Sequence, residues 1–323
     1  MKLFLTGATG FLGRNVLLRA LSQGYEVFAP VRNPDKLARQ LRFEKQTAER
    51  IRVLSPLPAN WPKISPDSAI LAGGALFERT RGDFFATNVD WTLAILRALP
   101  GRCRTVVVSS QSAGGPTPAG KRARTEADAD APITWYGESK LEMERSIRRH
   151  FRERPITILR PPMILGPRDS ATLPLFRMAT GRIRIKPGLR TKRYSFVGVD
   201  DLVAAIFLAL EQGRGSESLY VASGKAVSDW ELIASAAAAC AARGVTLPAP
   251  QIFVRLLSMV VDASPGLRSR TPSLTRDRVR EVWPDRWVVD GSKFERLANW
   301  QAKGALGSAL VAAHDYYVRE GRL

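Results

Sequence analysis

Gly7, Gly10 and Gly13 follow directly behind the first apolar run of the chain, Lys2-Leu3-Phe4-Leu5-Thr6. That run predicts a buried strand. Asn15–Ser22, with Val16, Leu17, Ala20 and Leu21 on one side, predicts a helix that Gly24 ends. Between a strand and a helix each glycine has its own physical use. The first permits a tight turn. The second lets backbone N–H groups approach a pyrophosphate at the helix N-terminus, where the dipole favours negative charge. The third lets helix and strand pack closely. A plain glycine-rich turn is the alternative, and the elements that follow argue against it.

Glu26–Val31 predicts a second strand, and Asn33-Pro34-Asp35 opens a helix through Leu41, which completes a βαβ unit. The alternation continues with a short strand at Ala69–Ala72, a helix at Asp83–Leu99 stopped by Pro100-Gly101, and a β-branched strand at Thr105–Val108. A long amphipathic helix at Gly137–Phe151 and a strand at Ile156–Leu159 come next. These elements predict an α/β fold, a Rossmann-like doubly wound parallel sheet with helices on both faces. Asp200–Leu210 is a helix that rejoins this unit. The expected division is a dinucleotide-binding domain over 1–165, rejoined by about 195–222. A smaller, mainly helical substrate domain takes 166–194 and 223–323, with joints at Pro248, Pro250, Pro265 and Pro272.

Composition excludes several classes. With 45% hydrophobic and 24% charged residues, 323 residues bury a core without staples. Two cysteines, Cys103 and Cys240, give neither a disulfide framework nor metal-ligand spacing, and two histidines leave no His-based metal site. A reducing cytoplasm fits this usage. The opening Met1–Leu5 is too short for a secretory h-region, and no apolar stretch is long enough to span a bilayer. The formal charge of +19 raises the prior for anionic partners. No Lys/Arg tract or basic tail accompanies it, so no specific nucleic acid is expected.

Tyr136 and Lys140 stand four apart at a helix start and share a face. Upstream, Thr105–Val108 runs into Ser109-Ser110-Gln111-Ser112, a strand ending in hydroxyls. A free phenol titrates too high to exchange protons at neutral pH, and a neighbouring ammonium favours its phenolate. The pair therefore suits general acid/base work on a carbonyl or carbinol oxygen.

Together these features resemble the extended short-chain dehydrogenases/reductases of the NAD(P)-dependent epimerase/dehydratase superfamily. Thr6-Gly7-Ala8-Thr9-Gly10-Phe11-Leu12-Gly13 is similar to that family's nucleotide-binding signature, and Tyr136-Gly137-Glu138-Ser139-Lys140 to its catalytic helix. Leu159-Arg160-Pro161-Pro162-Met163-Ile164-Leu165-Gly166-Pro167 resembles the segment lining the nicotinamide. Phe196–Asp201 is similar to the family's Val-Asp-Asp segment, and its acidic pair is expected to cap a helix.

The resemblance implies a Ser-Tyr-Lys mechanism. Ser110 polarises the reacting carbonyl, with Ser112 in reserve. Tyr136 transfers the proton, and Lys140 tunes Tyr136 and holds the nicotinamide ribose. Cofactor contacts are implied at Gly7, Thr9, Gly10, Phe11, Leu12, Gly13, Arg32, Ala72, Gly73, Asn88, Tyr136, Lys140, Pro161 and Met163. The second strand ends in Pro30-Val31-Arg32-Asn33-Pro34 with no acid before Asp35. An Arg there pairs with a 2′-phosphate through its planar fork, with Lys36 and Arg39 to assist. NADP(H) is therefore favoured over NAD(H).

Departures mark a divergent branch. Arg52-Val53-Leu54-Ser55-Pro56 leaves the adenine contacts unassigned, and Trp91 stands where the family carries glycine. Gln111-Ser112 lacks the acidic pair of the dehydratases, and Pro161-Pro162 displaces the Asn of nucleotide-sugar epimerases. The ending from Trp287 to Trp300 is closer to the dihydroflavonol reductase and 3β-hydroxysteroid dehydrogenase branch.

The expected activity is hydride transfer between NADP(H) and a ketone, aldehyde or secondary alcohol. An epimerase that retains its cofactor, and a non-catalytic NADP-binding sensor or assembly protein, are the alternatives. Arg182, Arg184 and Lys186 share one face of a strand. The choice there is a solvated outer face or recognition of a substrate anion, and the first is expected. Phe253–Val261 is expected to pack in the core of the small domain rather than cap an apolar substrate or seek a surface. In the family, the helices at 83–99 and 137–151 form a pairing surface, which leaves a homodimer open.

Overall fold

The computed structural model describes residues 1–41, 48–213, 215, 217–271 and 274–323. The joint expected at Pro272 lies outside the described residues. Seven parallel strands form the main sheet. They are β1 (Lys2–Thr6), β2 (Glu26–Pro30), β3 (Ile51–Leu54), β4 (Ser68–Leu71), β5 (Arg104–Val108), β6 (Ile156–Arg160) and Ser218–Tyr220. Their spatial order is Ser218–Tyr220, β6, β5, β4, β1, β2, β3. The chain reverses direction of travel between β1 and β4, which is the switch point where open α/β sheets bind ligands at the carboxyl ends of their strands.

Burial explains the strands. Leu3, Phe4 and Leu5 are fully buried, and Val106, Val107 and Val108 nearly so, as befits strands covered on both faces. One face carries α1 (Phe11–Ser22) and the helix Val199–Gln212, with Val16, Leu17, Ala20, Leu202 and Ile206 in one apolar cluster. Phe294, Ala298 and Trp300, far along the chain, pack into the same cluster. The other face carries the helix Trp135–His150, with Met143 and Ile147 inward beside Leu96 and Leu99.

Two helices differ from their expected form. The stretch at 83–99 is Arg81–Phe85 and Trp91–Ala98 joined by a π turn, Ala86–Asp90, which turns Asn88 inward. A Thr80–Asp83 capping box starts it. The helix expected at 137–151 begins at Trp135 rather than Gly137, because the Thr134 hydroxyl accepts from the Gly137 amide at 3.2 Å. Tyr136 therefore lies in its first turn.

Beyond the sheet, Met163–Leu165 pairs in parallel with Phe196–Gly198. A third apolar cluster joins Leu165, Phe176, Phe196, Ala236, Leu310 and Tyr317 from the helices Leu173–Ala179, Asp229–Ala239 and Leu306–Arg319. Short strands accompany these helices. Ile183–Pro187 pairs with Val245–Ala249, and Arg193–Tyr194 lies between Val227–Ser228 and Arg286–Trp287.

Three expectations are corrected here. The strand Ile183–Pro187 turns its cations inward, with Lys186 at 0% exposure and Ile183 at 61%, so Arg184 and Lys186 are neither solvated nor open to a substrate anion, and of the three cations Arg182 alone is exposed. Lys186 Nζ donates to the Asp229 carboxylate (2.9 Å) and to the carbonyls of Gly188 (2.7 Å) and Arg190 (2.8 Å). Arg184 is spent on the carbonyls of Ala179, Ala242 and Gly244. Secondly, the helix Gln251–Ala263 buries only Ser258 and Val261, so most of its apolar residues are not core. Thirdly, Asp200 and Asp201 lie in the first turn of their helix, whose N-cap is Gly198. Asp201 instead accepts from the amides of Lys303 (3.1 Å) and Gly304 (2.8 Å).

The packing at Gly13 is the tightest in the phosphate turn: a Cβ there would stand 2.0 Å from the Gly7 carbonyl oxygen. Gly13→Ala is expected to cost about 1–3 kcal/mol of stability, the range for overpacking. A urea midpoint equal to that of the parent protein would show that the turn has room to spare.

Candidate active site

The glycine turn opens at the switch point. Gly7 has φ +75°, and a Cβ on it would lie 2.9 Å from the Ala72 carbonyl and the Gly73 backbone. The Thr6 hydroxyl accepts from the Gly73 amide at 2.8 Å and fixes β4's exit beside β1. Gly10 is exposed and caps α1 with no side-chain hydrogen bond, and the first turn carries no acid. The leading amides of α1, from Phe11 and Leu12 onward, thus begin a helix without a competing anion. A turn with no room for a Cβ at Gly7 or Gly13, presenting amides at a helix N-terminus, fits a dinucleotide diphosphate. Thr9 lends its carbonyl to Gln40 Nε2 at 3.3 Å.

Arg32 stands exposed at the exit of β2, with Lys36 and Arg39 exposed on the helix Pro34–Leu41. A further cation, unmarked in the sequence pattern, lies at the same end. Arg14 donates from Nη2 to the Gln40 carbonyl at 2.6 Å, and its buried Nε has no partner. Trp91 closes over Gly73, its ring 3.1 Å from a Cβ built there, and its Nε1 donates to the Pro56 carbonyl at 2.8 Å.

Asn88 is entirely committed within the protein. Its Oδ1 accepts from the Ala75 amide (2.8 Å), and its Nδ2 donates to the Ala75 carbonyl (3.2 Å) and to Ser139 Oγ (2.9 Å). It fixes the loop after β4 against the helix Trp135–His150. Lys140, 5% exposed, donates to the Val108 carbonyl at 3.0 Å. A Cβ on Gly74 would meet both Lys140 Nζ and Asn88 Oδ1 at 3.0 Å. Burial pulls the Lys140 ammonium down to about 8, against a smaller opposing influence of Glu144.

The structure brings Ser110 beside Tyr136, where its hydroxyl favours the phenolate. Ser110 also accepts from the Ser112 amide at 3.1 Å, at the start of the short helix Gln111–Gly114. Ser112 is turned elsewhere, donating to Glu281 at 3.3 Å. Pro161 is buried, its carbonyl accepting from the Gln111 amide at 3.0 Å, and Met163 is half-buried on the following strand.

The cation over the Tyr136 ring is not Lys140 but Arg278, whose guanidinium carbon lies 5.3 Å from the ring centroid. Lys140 shares the helix face but reaches toward β5. Burial pushes the Tyr136 phenol up. The Ser110 hydroxyl and the Arg278 guanidinium oppose this, and Glu281 adds to it. Glu281 accepts from Thr134 Oγ1 (3.2 Å) and Arg278 Nη1 (3.0 Å), and Asp277 accepts from the Trp135 amide at 3.2 Å. The segment 277–281 therefore folds over the start of the helix Trp135–His150. Phe84, with its ring 6.2 Å from that of Tyr136, packs beside it.

The model of the NAD dependent epimerase/dehydratase family matches residues 3–222. The chain belongs to this family. It is an enzyme of the NAD(P)-dependent short-chain dehydrogenase/reductase type, and a nicotinamide cofactor goes with that membership.

Among relatives of this family member, ceramide reductase of Caulobacter vibrioides (strain NA1000 / CB15N) is 30% identical over 207 residues. That match takes in 62% of this chain and only 58% of the relative. Tetraketide alpha-pyrone reductase 1 of Arabidopsis thaliana is 26% identical over 293 residues, 79% of this chain and 85% of the relative. The fold is shared with UDP-glucuronic acid 4-epimerase from Bacillus cereus in complex with NAD. The TM-score is 0.74 at 18% identity, with each chain covered completely. It is shared also with RMD from Pseudomonas aeruginosa complexed with NADPH. Here the TM-score is 0.71 at 18% identity, covering 100% of this chain and 99% of that one.

Holding a buried ammonium has a cost that pH reveals. The folded-state pKa of Lys140 lies below its unfolded value of 10.5, so the unfolded chain binds the proton more readily. Stability should rise as pH climbs from about 8 toward 10.5, and the cost should be complete below about 8. Relative to Lys140→Met, the parent protein is expected to gain roughly 3 kcal/mol across that window. Parallel slopes of urea-derived stability against pH in the two proteins would contradict this.

Proposed function

We propose that the protein is an NADP(H)-dependent reductase of a ketone or aldehyde on an apolar framework. Tyr136 is the proton donor to the reacting oxygen. The observation that carries this reading is the Ser110 hydroxyl beside the Tyr136 phenol, favouring its phenolate, after the end of β5, with Lys140 buried one turn further along the helix. When bound, the nicotinamide supplies the hydride. Ser110 donates to the substrate oxygen and orients it toward the phenol. Tyr136, held protonated by burial, gives its proton to that oxygen as charge develops. Lys140, beside Gly74, holds the ribose hydroxyls. Arg278 stabilises the phenolate left behind. Phe77 and Phe84 supply apolar wall: Arg278 lies 5.5 Å from the Phe77 ring centroid, and Phe84 stacks near Tyr136.

The relatives' names support reduction. Ceramide, a tetraketide pyrone and a dihydroflavonol are the frameworks in the names of three reductases that this chain is similar to. The buried Pro161 and Pro162 leave no side-chain amide after β6 to hold a nucleotide-sugar diphosphate. Arg32, with Arg14 beside Gln40, is the proposed seat of the 2′-phosphate.

Two experiments test these assignments. Turnover of apolar ketones and aldehydes is expected to consume NADPH one for one with alcohol formed. Tyr136→Phe is expected to lower kcat by about 10²–10⁴-fold, the usual span of general acid catalysis, with NADPH affinity preserved. Full turnover by that variant, or net isomerisation of a sugar nucleotide without change in nicotinamide absorbance, would overturn the reading. Separately, Arg32→Asp is expected to weaken NADPH binding by about 10–100-fold, as loss of a charge-assisted contact implies. NADH binding should hold or improve. An unchanged NADPH:NADH ratio of dissociation constants would remove Arg32 from the site.

A further inference from the structure

The helix Gln251–Ala263 is built inside out for a protein in water. A surface helix turns its apolar stripe to the core. Here Ser258 is buried at 1% exposure, while Phe253 stands at 61%. Ile252, Leu256, Leu257, Met259 and Val260 are exposed with it.

A second apolar face lies alongside. The strands Ile183–Pro187 and Val245–Ala249 pair in parallel, with Ile183 opposite Val245 and Ile185 opposite Leu247. All four side chains are exposed on this face. The second strand runs through Pro250 directly into the helix. At that corner a Cβ on Gly188 would lie 3.3 Å from Gln251 Nε2, so the end of the first strand meets the start of the helix.

The charge around this surface is mainly positive. No Asp or Glu occurs in residues 181–193 or 241–261. Arg182, Arg243 and Arg255 are exposed there, and none of them pairs with a carboxylate among the described residues. Arg190 is also exposed and is paired with Asp285 at 3.3 Å. Soluble proteins rarely leave contiguous apolar surface of this extent uncovered unless it binds something.

We propose that this face docks on the surface of an anionic phospholipid bilayer. The aliphatic and aromatic side chains enter the acyl boundary, and the arginines sit among the headgroup phosphates. The helix is too short to cross a bilayer, and no described helix is long and apolar enough to do so, so it lies in the interface plane. A second copy of the chain is a poor occupant. An isologous contact would set arginine against arginine with no acid between them.

Docking here also brings the site close to the lipid. The Asp262 carboxylate at the end of the helix accepts from the Arg276 amide at 3.1 Å, two residues before Arg278 over the Tyr136 ring. The docking proposal stands apart from the catalytic reading, because vesicle binding is scored without turnover.

The test is co-sedimentation of the full chain with vesicles of phosphatidylcholine alone or mixed equally with phosphatidylglycerol. Binding is expected only to the anionic vesicles, falling as salt rises. Phe253→Glu with Leu257→Glu should weaken it by about tenfold or more, since apolar burial is lost at two positions. Arg255→Glu should weaken it clearly. Arg97→Glu makes the same charge change on an exposed residue of the helix Trp91–Ala98, and should leave binding unchanged. All these positions are exposed, and equal urea midpoints confirm that the variants fold.

Equal loss from Arg97→Glu would assign binding to the diffuse +19 charge and overturn the proposal. So would vesicle binding indifferent to the Phe253 and Leu257 changes. Absence of vesicle binding, together with a dimer that Phe253→Glu dissociates in sedimentation velocity, would give the face to a second copy instead.

Discussion

Where α1, β1 and β4 meet, the backbone at Gly7 lies against Ala72 and Gly73 on one side and Gly13 on the other, with no volume for a Cβ between them. Much of the site follows from that approach. It lets β4 leave the sheet next to β1, with the Thr6 hydroxyl bonded to the Gly73 amide. It sets the amides at the head of α1 over the switch point. It also fixes the loop that Asn88 grips through Ala75, and Asn88 in turn grips Ser139 on the helix Trp135–His150. The π turn is what lets Asn88 serve both: an extra residue in the turn swings its side chain inward. The glycine turn and the helix Trp135–His150 are thus one connected object, with Lys140 Nζ and Asn88 Oδ1 both against Gly74.

What the sequence shows plainly is local. The glycine spacing, the apolar runs of β1 and β5, and the Tyr136–Lys140 interval each depend on residues within a turn or two, where stereochemistry leaves few choices. What it hides is distant or directional. Arg278 and Glu281 come to Tyr136 and Thr134 from the far end of the chain, in a charged run with no pattern pointing at the helix they cover. Lys140 shares a helix face with Tyr136, but a flexible four-carbon stem can end in several places. The Val108 carbonyl decides which. Arg14 likewise follows Gly13 without any feature separating it from a solvated arginine, until Gln40 is seen beside it.

The strand Ile183–Pro187 shows a different limit. Alternation states which side chains share a face, and it is silent on which face is inside. Transfer free energy alone would bury the isoleucines. Lys186 is inside instead because its three donors are all met, two by carbonyls and one by Asp229, with the Trp230 ring 5.4 Å away. A buried ion pair with every proton satisfied is tolerated, though it is not in itself strongly stabilising. The exposed isoleucines are the other half of that arrangement. The helix Gln251–Ala263 repeats it in α form, so two neighbouring elements of the small lobe both present apolar side chains outward.

That lobe also bears on the phenol. Burial raises the Tyr136 pKa, and the two influences that lower it have different origins. Ser110 belongs to the exit of β5 and is fixed by the sheet. Arg278 belongs to a helix of four residues, Arg276–Val279, secured through Asp277 to the Trp135 amide and through Glu281 to Thr134 and Ser112. Glu281 works against Arg278 at the ring while holding it in place. A small displacement of this segment therefore changes attraction and repulsion at Tyr136 together. Its anchor on the other side is the Asp262–Arg276 contact with the outward-facing helix. The electrostatic environment of Tyr136 is thus shared between a rigid sheet and a lobe whose outer surface is apolar and cationic.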